Sequence, residues 1–159
     1  MKSIQFSVLL LISIIFSCKN DDQILGNRVA GTWSLERIRY ANPNRPGMDT
    51  TITLQGATMR FDACQYKRGE SLNCTGQHQV FNNSAVPFNF DIDGVKQSSL
   101  SLNQQYNQYT PKRGDLDLNG NYFISFSDNN NQMEMKGRYY LYGSDKVLDE
   151  TAYFTLKRN

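Results

Sequence analysis

Apolar residues recur at every second position over most of the chain from residue 31 onward, and this alternation is the feature that most constrains the fold. Successive side chains of a strand point to opposite faces, so the alternation predicts strands with one buried face. In one such stretch, Val86, Phe88, Phe90 and Ile92 are separated by proline or polar residues. A sustained helical period is missing outside the N-terminal apolar run, so the sequence predicts an all-β protein.

The alternation and the intervening turn signals divide the chain into about eight strands and a ninth at the C-terminus. We place them at 31–41, 50–62, 77–82, 86–93, 98–104, 114–119, 121–127, 132–141 and 148–157. Asp93-Gly94 and Asn119-Gly120 are dipeptides typical of tight hairpin turns, and the second predicts a hairpin between 114–119 and 121–127.

The two earliest predicted strands change phase in their interior. The apolar residues Trp33 and Leu35 occupy odd-numbered positions, whereas Ile38 and Tyr40 occupy even-numbered ones. A similar change occurs around Gly56. A one-residue change of phase is what a β-bulge produces, and strongly bent strands are needed to close a barrel. Antiparallel strands with short turns suit a barrel or a sandwich, but a barrel leaves no edge exposed. We therefore expect an antiparallel up-and-down barrel of eight or nine strands.

The first 22 residues indicate export. Lys2 precedes an apolar run over residues 6–16 that is short for a membrane span, and the small Ser17 stands before Cys18. This arrangement resembles a bacterial lipoprotein signal, in which the cysteine becomes the acylated N-terminus. The alternative is an ordinary secretory signal with Cys18 incidental. We expect a signal peptide over 1–17, a lipidated tether over 18–26 and a barrel domain over 27–159.

Lipidation of Cys18 would hold the domain at a membrane, because several buried acyl methylenes make attachment stable. The polar residues 19–22 resemble the acidic export signals of Bacteroidetes lipoproteins that reach the cell surface. The expected location is therefore the outer membrane, with the domain either periplasmic or surface-exposed. The sequence has 17 basic and 15 acidic side chains and no basic stripe, so we expect no nucleic-acid partner.

Cys64 and Cys74 are the remaining cysteines, and two thiols in an oxidising compartment usually pair. We expect a disulfide between them that stiffens one loop. The alternative is a metal site with His78, the single histidine, but that set supplies three ligands and no second pair. We expect no metal and no cofactor. The charged residues 67–70 between the cysteines form a predicted solvated loop, with contact to a partner as the alternative.

Catalytic motifs are lacking. His78 and a serine have no nucleophile elbow around them, so we expect no enzyme activity and interpret His78 as a solvent-facing strand residue. The stretch Asp91-Ile92-Asp93-Gly94 lacks the spaced ligands and terminal glutamate of a calcium loop and is interpreted as part of a turn. Residues 128–131 have the short polar side chains that tolerate positive φ at a hairpin tip.

Gly31-Thr32-Trp33, at the start of the first strand, resembles the glycine-x-tryptophan signature of the lipocalins. More closely, the lipobox cysteine, the phrase VAGTWSLERI and the final strand AYFTLKR resemble lipocalin-like lipoproteins of Bacteroidetes. The resemblance implies that Trp33 packs across the closed end of a barrel, where a basic residue from near the last strand covers it. Arg158 or Lys157 would take that position.

An eight-stranded barrel is either filled by side chains or holds one small ligand. The inward residues that would line such a cavity are large: Phe88, Phe90, Tyr122, Phe126, Met135 and Tyr139. Our expectation from sequence is a lipid-anchored envelope protein that binds a small apolar or amphipathic ligand. The alternative is an interaction module with a filled barrel, which contacts an envelope protein or polysaccharide through its loops or its Tyr140/Tyr142 face. A filled barrel with an exposed aromatic patch would favour the alternative.

Overall fold

The computed structural model describes residues 21–41, 50–65, 74–80, 84–94, 98–104, 116–138, 140–141 and 151–159. The predicted signal peptide and Cys18 lie outside the described residues, as do the charged loop 67–70, Tyr139 and Tyr142. Helix α1 comprises Asp21–Val29, so the second part of the predicted tether is helical. The strands are β1 Gly31–Ala41, β2 Thr50–Thr53, β3 Thr58–Phe61, β4 Cys74–Gln79, β5 Val86–Asp93, β6 Ser99–Gln104, β7 Leu116–Asp117, β8 Gly120–Ser127, β9 Gln132–Arg138, β10 Tyr140–Leu141 and β11 Thr151–Arg158.

Eight of these strands close a barrel. The order around it is β1, β3, β4, β5, β6, β8, β9 and β11, and β11 pairs with β1 to complete the ring. Every pairing is antiparallel and neighbours in the ring follow one another along the chain, with β2 as an additional strand beside β1. The expected all-β up-and-down barrel is thus confirmed, and closure decides between barrel and sandwich. Within the described ranges, no helix is long and apolar enough to cross a bilayer.

The phase changes near the N-terminus mark bent strands, as expected. The pairing of β1 with β11 shifts register between Leu35 and Arg37, and this shift brings Trp33 and Ile38 into the same interior. The predicted strand 50–62 is two strands, β2 and β3, which pair with successive parts of β1. The break between them contains Gly56, whose φ of 70° favours glycine.

The predicted hairpin at Asn119-Gly120 is wrong. Strand β7 pairs with β10 in a separate two-stranded sheet, and β8 pairs with β6 and β9. The predicted strand 77–82 instead comprises Cys74–Gln79, and the predicted strand 132–141 is divided into β9 and β10. The physical reason is that local alternation defines strands but not partners, which depend on how the whole ring closes.

Bulky and small residues alternate across the inner face. Gly76 pairs with Phe61 on one side and Phe88 on the other, and the two phenylalanine rings meet edge to face with centroids 5.4 Å apart. Gly137 similarly stands opposite Tyr122. A Cβ built on Gly76 would lie 2.5 Å from the Phe88 ring, and one on Gly137 would lie 2.4 Å from the Tyr122 ring. These rings therefore occupy the space that a side chain would take at each glycine.

Candidate functional site

The residues predicted to line a ligand cavity are part of a packed core. Phe88, Phe90, Tyr122 and Met135 have 0%, 3%, 1% and 0% of their surface exposed. Phe88 and Phe90 pack edge to face against each other, and Tyr122 packs in the same way against Phe154. Phe126 is partly buried near one end of the barrel, 6.2 Å from Trp33 between ring centroids.

One end of the barrel is covered by α1, and we call it the helix end. Asp22 accepts a hydrogen bond from the backbone N–H of Gly94, after β5, at 2.7 Å. Gln23 donates to the backbone oxygen of Cys64 at 3.1 Å. Cys64 and Cys74 form the expected disulfide, with Cα atoms 5.6 Å apart. The bridge therefore ties the start of β4 to the segment that contacts α1.

Three consecutive carbonyls at the end of α1 are bound by side chains of β1 and β11. The last carbonyls of a helix have no partner within it and need donors from elsewhere. The Trp33 indole N–H donates to the Val29 oxygen at 2.7 Å. The Arg158 guanidinium donates to the oxygens of Arg28 and Ala30 at 2.5 and 3.1 Å. Its positive charge also suits the negative end of the helix dipole.

The same guanidinium lies over the Trp33 ring, with its central carbon 4.4 Å from the ring centroid. Trp33 is fully buried, and a Cβ on Gly31 would approach the guanidinium to 3.2 Å. Gly31 also has φ 127°, which disfavours other residues. The structure thus places Arg158, and not the exposed Lys157, where the resemblance implies a basic residue over the tryptophan.

The hairpin between β8 and β9 joins this helix end. Asp128, Asn129 and Asn130 all have positive φ, between 51° and 68°, as expected of a tip made of short polar residues. The Asn130 side-chain oxygen accepts two hydrogen bonds from Arg28, at 3.0 and 2.7 Å. Arg28 in turn lies 4.2 Å over the Phe126 ring. This end is occupied by contacts that hold α1 in place.

At the opposite end, which we call the mouth, the chain after β7 folds over the barrel. Leu118 is fully buried there, and its backbone N–H donates to the Gln104 side-chain oxygen at 2.9 Å. Its backbone oxygen accepts from the Tyr122 hydroxyl at 3.0 Å. The backbone N–H of Gln104 donates to the Asn119 side chain at 2.6 Å. These three bonds fix residues 118–119 across the mouth.

His78 belongs to this polar cluster, and the expectation that it faces solvent is wrong. Only 3% of its surface is exposed, and its ring stacks on Phe88. Because the Gln104 oxygen already accepts from Leu118, the Gln104 amide nitrogen is the donor to His78 Nε2, 2.6 Å away. The alternation of apolar and polar residues in the sequence did not reveal that the His78 side chain points inward.

We expect Gln104→Ala to lower the free energy of unfolding by about 2 kcal/mol, because it leaves the buried N–H of Leu118 without its acceptor. Urea unfolding monitored by the emission of Trp33, the single tryptophan, measures the change. Asn103→Ala, at the neighbouring exposed position, is the matched control and should change stability by less than about 0.5 kcal/mol. Equal losses in both variants would contradict this role for Gln104.

An open groove of about 410 Å³ lies on the outer surface near the mouth. Its lining residues come from β8, β9, β11 and the segment before β8: Asn119, Gly120, Asn121, Phe123, Lys136, Gly137 and Thr151. Phe123 is 55% exposed. Lys136 is exposed and stands directly opposite Phe123 in the pairing of β8 with β9. We call this site the outer groove.

The outer groove continues into a row of alternating basic and aromatic residues. Phe123 pairs with Lys136, Lys136 with Tyr153 and Tyr153 with Arg39 across four adjacent strands. Arg39 lies 4.0 Å over the Tyr153 ring, and the Lys136 ammonium lies 5.6 Å from it. Sequence analysis missed this row, because its members lie far apart in the chain and meet only through strand register.

The described residues do not assemble a metal site. In those ranges no group of three or more His, Cys, Asp or Glu side chains could hold a metal ion. Of the predicted contact face Tyr140/Tyr142, only the backbone of Tyr140, in β10, is described. The outer groove is therefore the best candidate site that the described residues offer. Comparison of the chain with protein-family models, with curated proteins and with solved structures found no match.

Proposed function

We propose that this protein is an envelope interaction module, anchored through a lipidated Cys18, whose filled barrel serves as a rigid support for a binding surface on its outside. The carrying observation is that Phe88 and Tyr122 fill the space next to Gly76 and Gly137, where even one added carbon would collide with a ring. Residues suited to line a ligand cavity contact one another instead. This supports the filled-barrel alternative over a carrier of a small apolar ligand.

The outer groove is the binding surface in this proposal. Among the described residues, Ile24 and Phe123 are the large hydrophobic side chains that are exposed, and Phe123 is the one in a groove. Strands β8, β9 and β11 form the groove and belong to the closed ring, so its shape is set before a partner arrives. A preorganised site binds without the entropic cost of ordering its own groups.

Native mass spectrometry of the chain from residue 19, purified from cells, tests this function against the carrier. This chain contains every described residue. We expect the mass of the polypeptide alone, unchanged by organic extraction, and no retention of added palmitate or oleate. A discrete adduct that extraction removes would contradict the proposal and establish a carrier, whose ligand class the adduct mass would identify.

A further inference from the structure

We propose that the occupant of the outer groove is an acidic polysaccharide, held by Phe123 and Lys136; this inference rests on the proposed function and names the ligand class of the same site. The described lining contains one cationic side chain, Lys136, and no acidic one. The nearest acid on the same face of β9 is Glu134, two residues from Lys136 and outside the lining, whereas Arg39 adds a second positive charge to the row through Tyr153. The charge of the groove therefore suits an anionic partner.

Phe123, the one aromatic ring in the described lining, favours a sugar as the unit that carries the anion. One face of a pyranose ring is formed by C–H groups, which stack on an aromatic ring, and Phe123 offers such a surface. Directly opposite residues of an antiparallel pair have Cβ atoms about 5 Å apart. A uronic acid that stacks on Phe123 therefore brings its carboxylate within reach of the Lys136 ammonium.

The rest of the lining matches sugar hydroxyls. A hydroxyl both donates and accepts hydrogen bonds, as do the Asn121 amide and the Thr151 hydroxyl. At Gly120 a Cβ would meet nothing within 4 Å, so the backbone there is open to a ligand. The bonds from Gln104 to Asn119 and Leu118 hold this wall of the groove in place.

An acidic peptide fits the groove less well. Extended peptides commonly bind by adding a strand to a free sheet edge. Strands β8, β9 and β11 each pair on both sides, so none of them offers such an edge. The cores of protein interfaces also contain several apolar and aromatic residues, whereas Phe123 stands alone in this lining.

Binding of the full chain, in a non-ionic detergent, to immobilised polygalacturonate tests the inference. Methyl-esterified polygalacturonate keeps the sugar backbone without its charge, and poly-glutamate keeps the charge without sugar rings. We expect binding to polygalacturonate that weakens as salt is raised, and at least tenfold weaker binding to each of the other two polymers. Phe123→Ala and Lys136→Gln should each weaken it about tenfold, whereas Glu134→Gln on the same strand should not. The Trp33 emission and the circular dichroism of each variant report whether the barrel is intact.

Each contrary result overturns a distinct statement. Equal binding to poly-glutamate would identify charge alone, or an acidic protein, as the recognised feature. Binding that survives both groove variants would place the site elsewhere. Absence of binding to any of the three polymers would overturn the acidic polysaccharide while leaving the interaction module intact, provided that the mass measured above is that of the polypeptide alone. An extractable adduct in that measurement would instead overturn the proposed function itself.

Discussion

Replacing Gly76 with alanine should lower the free energy of unfolding by about 2 kcal/mol, which is within the usual range for an overpacked core. The added methyl carbon would lie 2.5 Å from the backbone oxygen of Arg60 and 2.5 Å from the Phe88 ring. The oxygen belongs to the β3 backbone and cannot rotate away. The Phe88 ring is fully buried and packs against Phe61 and Phe90, so it cannot move without disturbing them.

The expected loss of stability on substitution with alanine distinguishes Gly76 from an ordinary glycine in a strand. Glycine in a strand interior usually costs about 0.5–1 kcal/mol relative to alanine, so alanine at an unobstructed position would stabilise the protein. Urea unfolding of Gly76→Ala, Phe88→Leu and the double variant gives a complete cycle. Leucine relieves the clash of the new methyl group with the ring but not the clash with the Arg60 oxygen, so the double variant should lose less than the sum of the two single losses while staying less stable than Phe88→Leu. Additive losses, or a more stable Gly76→Ala protein, would contradict a filled barrel at this level.

More of the fold than of the candidate site could be predicted from the sequence. Alternation reports burial of one face directly, and the change of phase between Leu35 and Ile38 located a bulge that the pairing of β1 with β11 contains. The space left inside the barrel could not be predicted in this way, because it depends on which side chains face each other. Gly76 is opposite Phe88 in one register only, and no local pattern in the sequence shows which residues of two neighbouring strands face each other.

Dependence on strand register also explains the two wrong predictions that most concern function, the hairpin at Asn119-Gly120 and the solvent-facing His78. Asn119-Gly120 is a good hairpin signal locally, but the segment is used to cover the mouth, where Gln104 and Tyr122 bind the backbone of Leu118. His78 sits in a polar stretch of β4, Gln77 to Gln79, and nothing in that stretch indicates that the imidazole is buried against Phe88. The outer groove likewise depends on register, since Phe123 and Lys136 meet only when β8 pairs with β9.

At the helix end, in contrast, the short motif Gly31-Thr32-Trp33 did indicate a set of contacts that the structure contains. Gly31, Trp33 and Arg158 meet because β1 pairs with β11, which places Trp33 directly opposite Arg158. Together, Trp33 and Arg158 bind the last carbonyls of α1 and so join both ends of the described chain to one another. In the proposed anchored form, a pull on α1 would be transmitted to β1 and β11 through these contacts.

We expect Arg158→Ala to lower the free energy of unfolding by about 3 kcal/mol. The change removes charged hydrogen bonds to the carbonyls of Arg28 and Ala30, at the end of α1, which typically contribute about 1.5–3 kcal/mol each. It also removes a longer bond to the Asn130 oxygen, at 3.4 Å, and a cation–π contact of about 0.5–2 kcal/mol. Partial exposure of the arginine reduces that sum, because water can replace part of what is lost. Trp33 loses its cover, so its emission should also shift to the red in the folded state.

Two further variants separate this role from a general effect of charge. Arg158→Lys keeps the charge but lacks the planar guanidinium that reaches both carbonyls and stacks on the indole, so we expect it to restore less than half of the lost stability. Lys157→Ala removes an exposed charge at the adjacent position and should change stability by less than about 0.5 kcal/mol. Urea unfolding gives the stability of all three variants, and Trp33 emission reports the environment of the indole in each. A lysine that fully replaces Arg158, or a Lys157 variant equally destabilised, would show that net charge near the C-terminus, and not the bridge from Arg158 to α1, stabilises this end of the barrel.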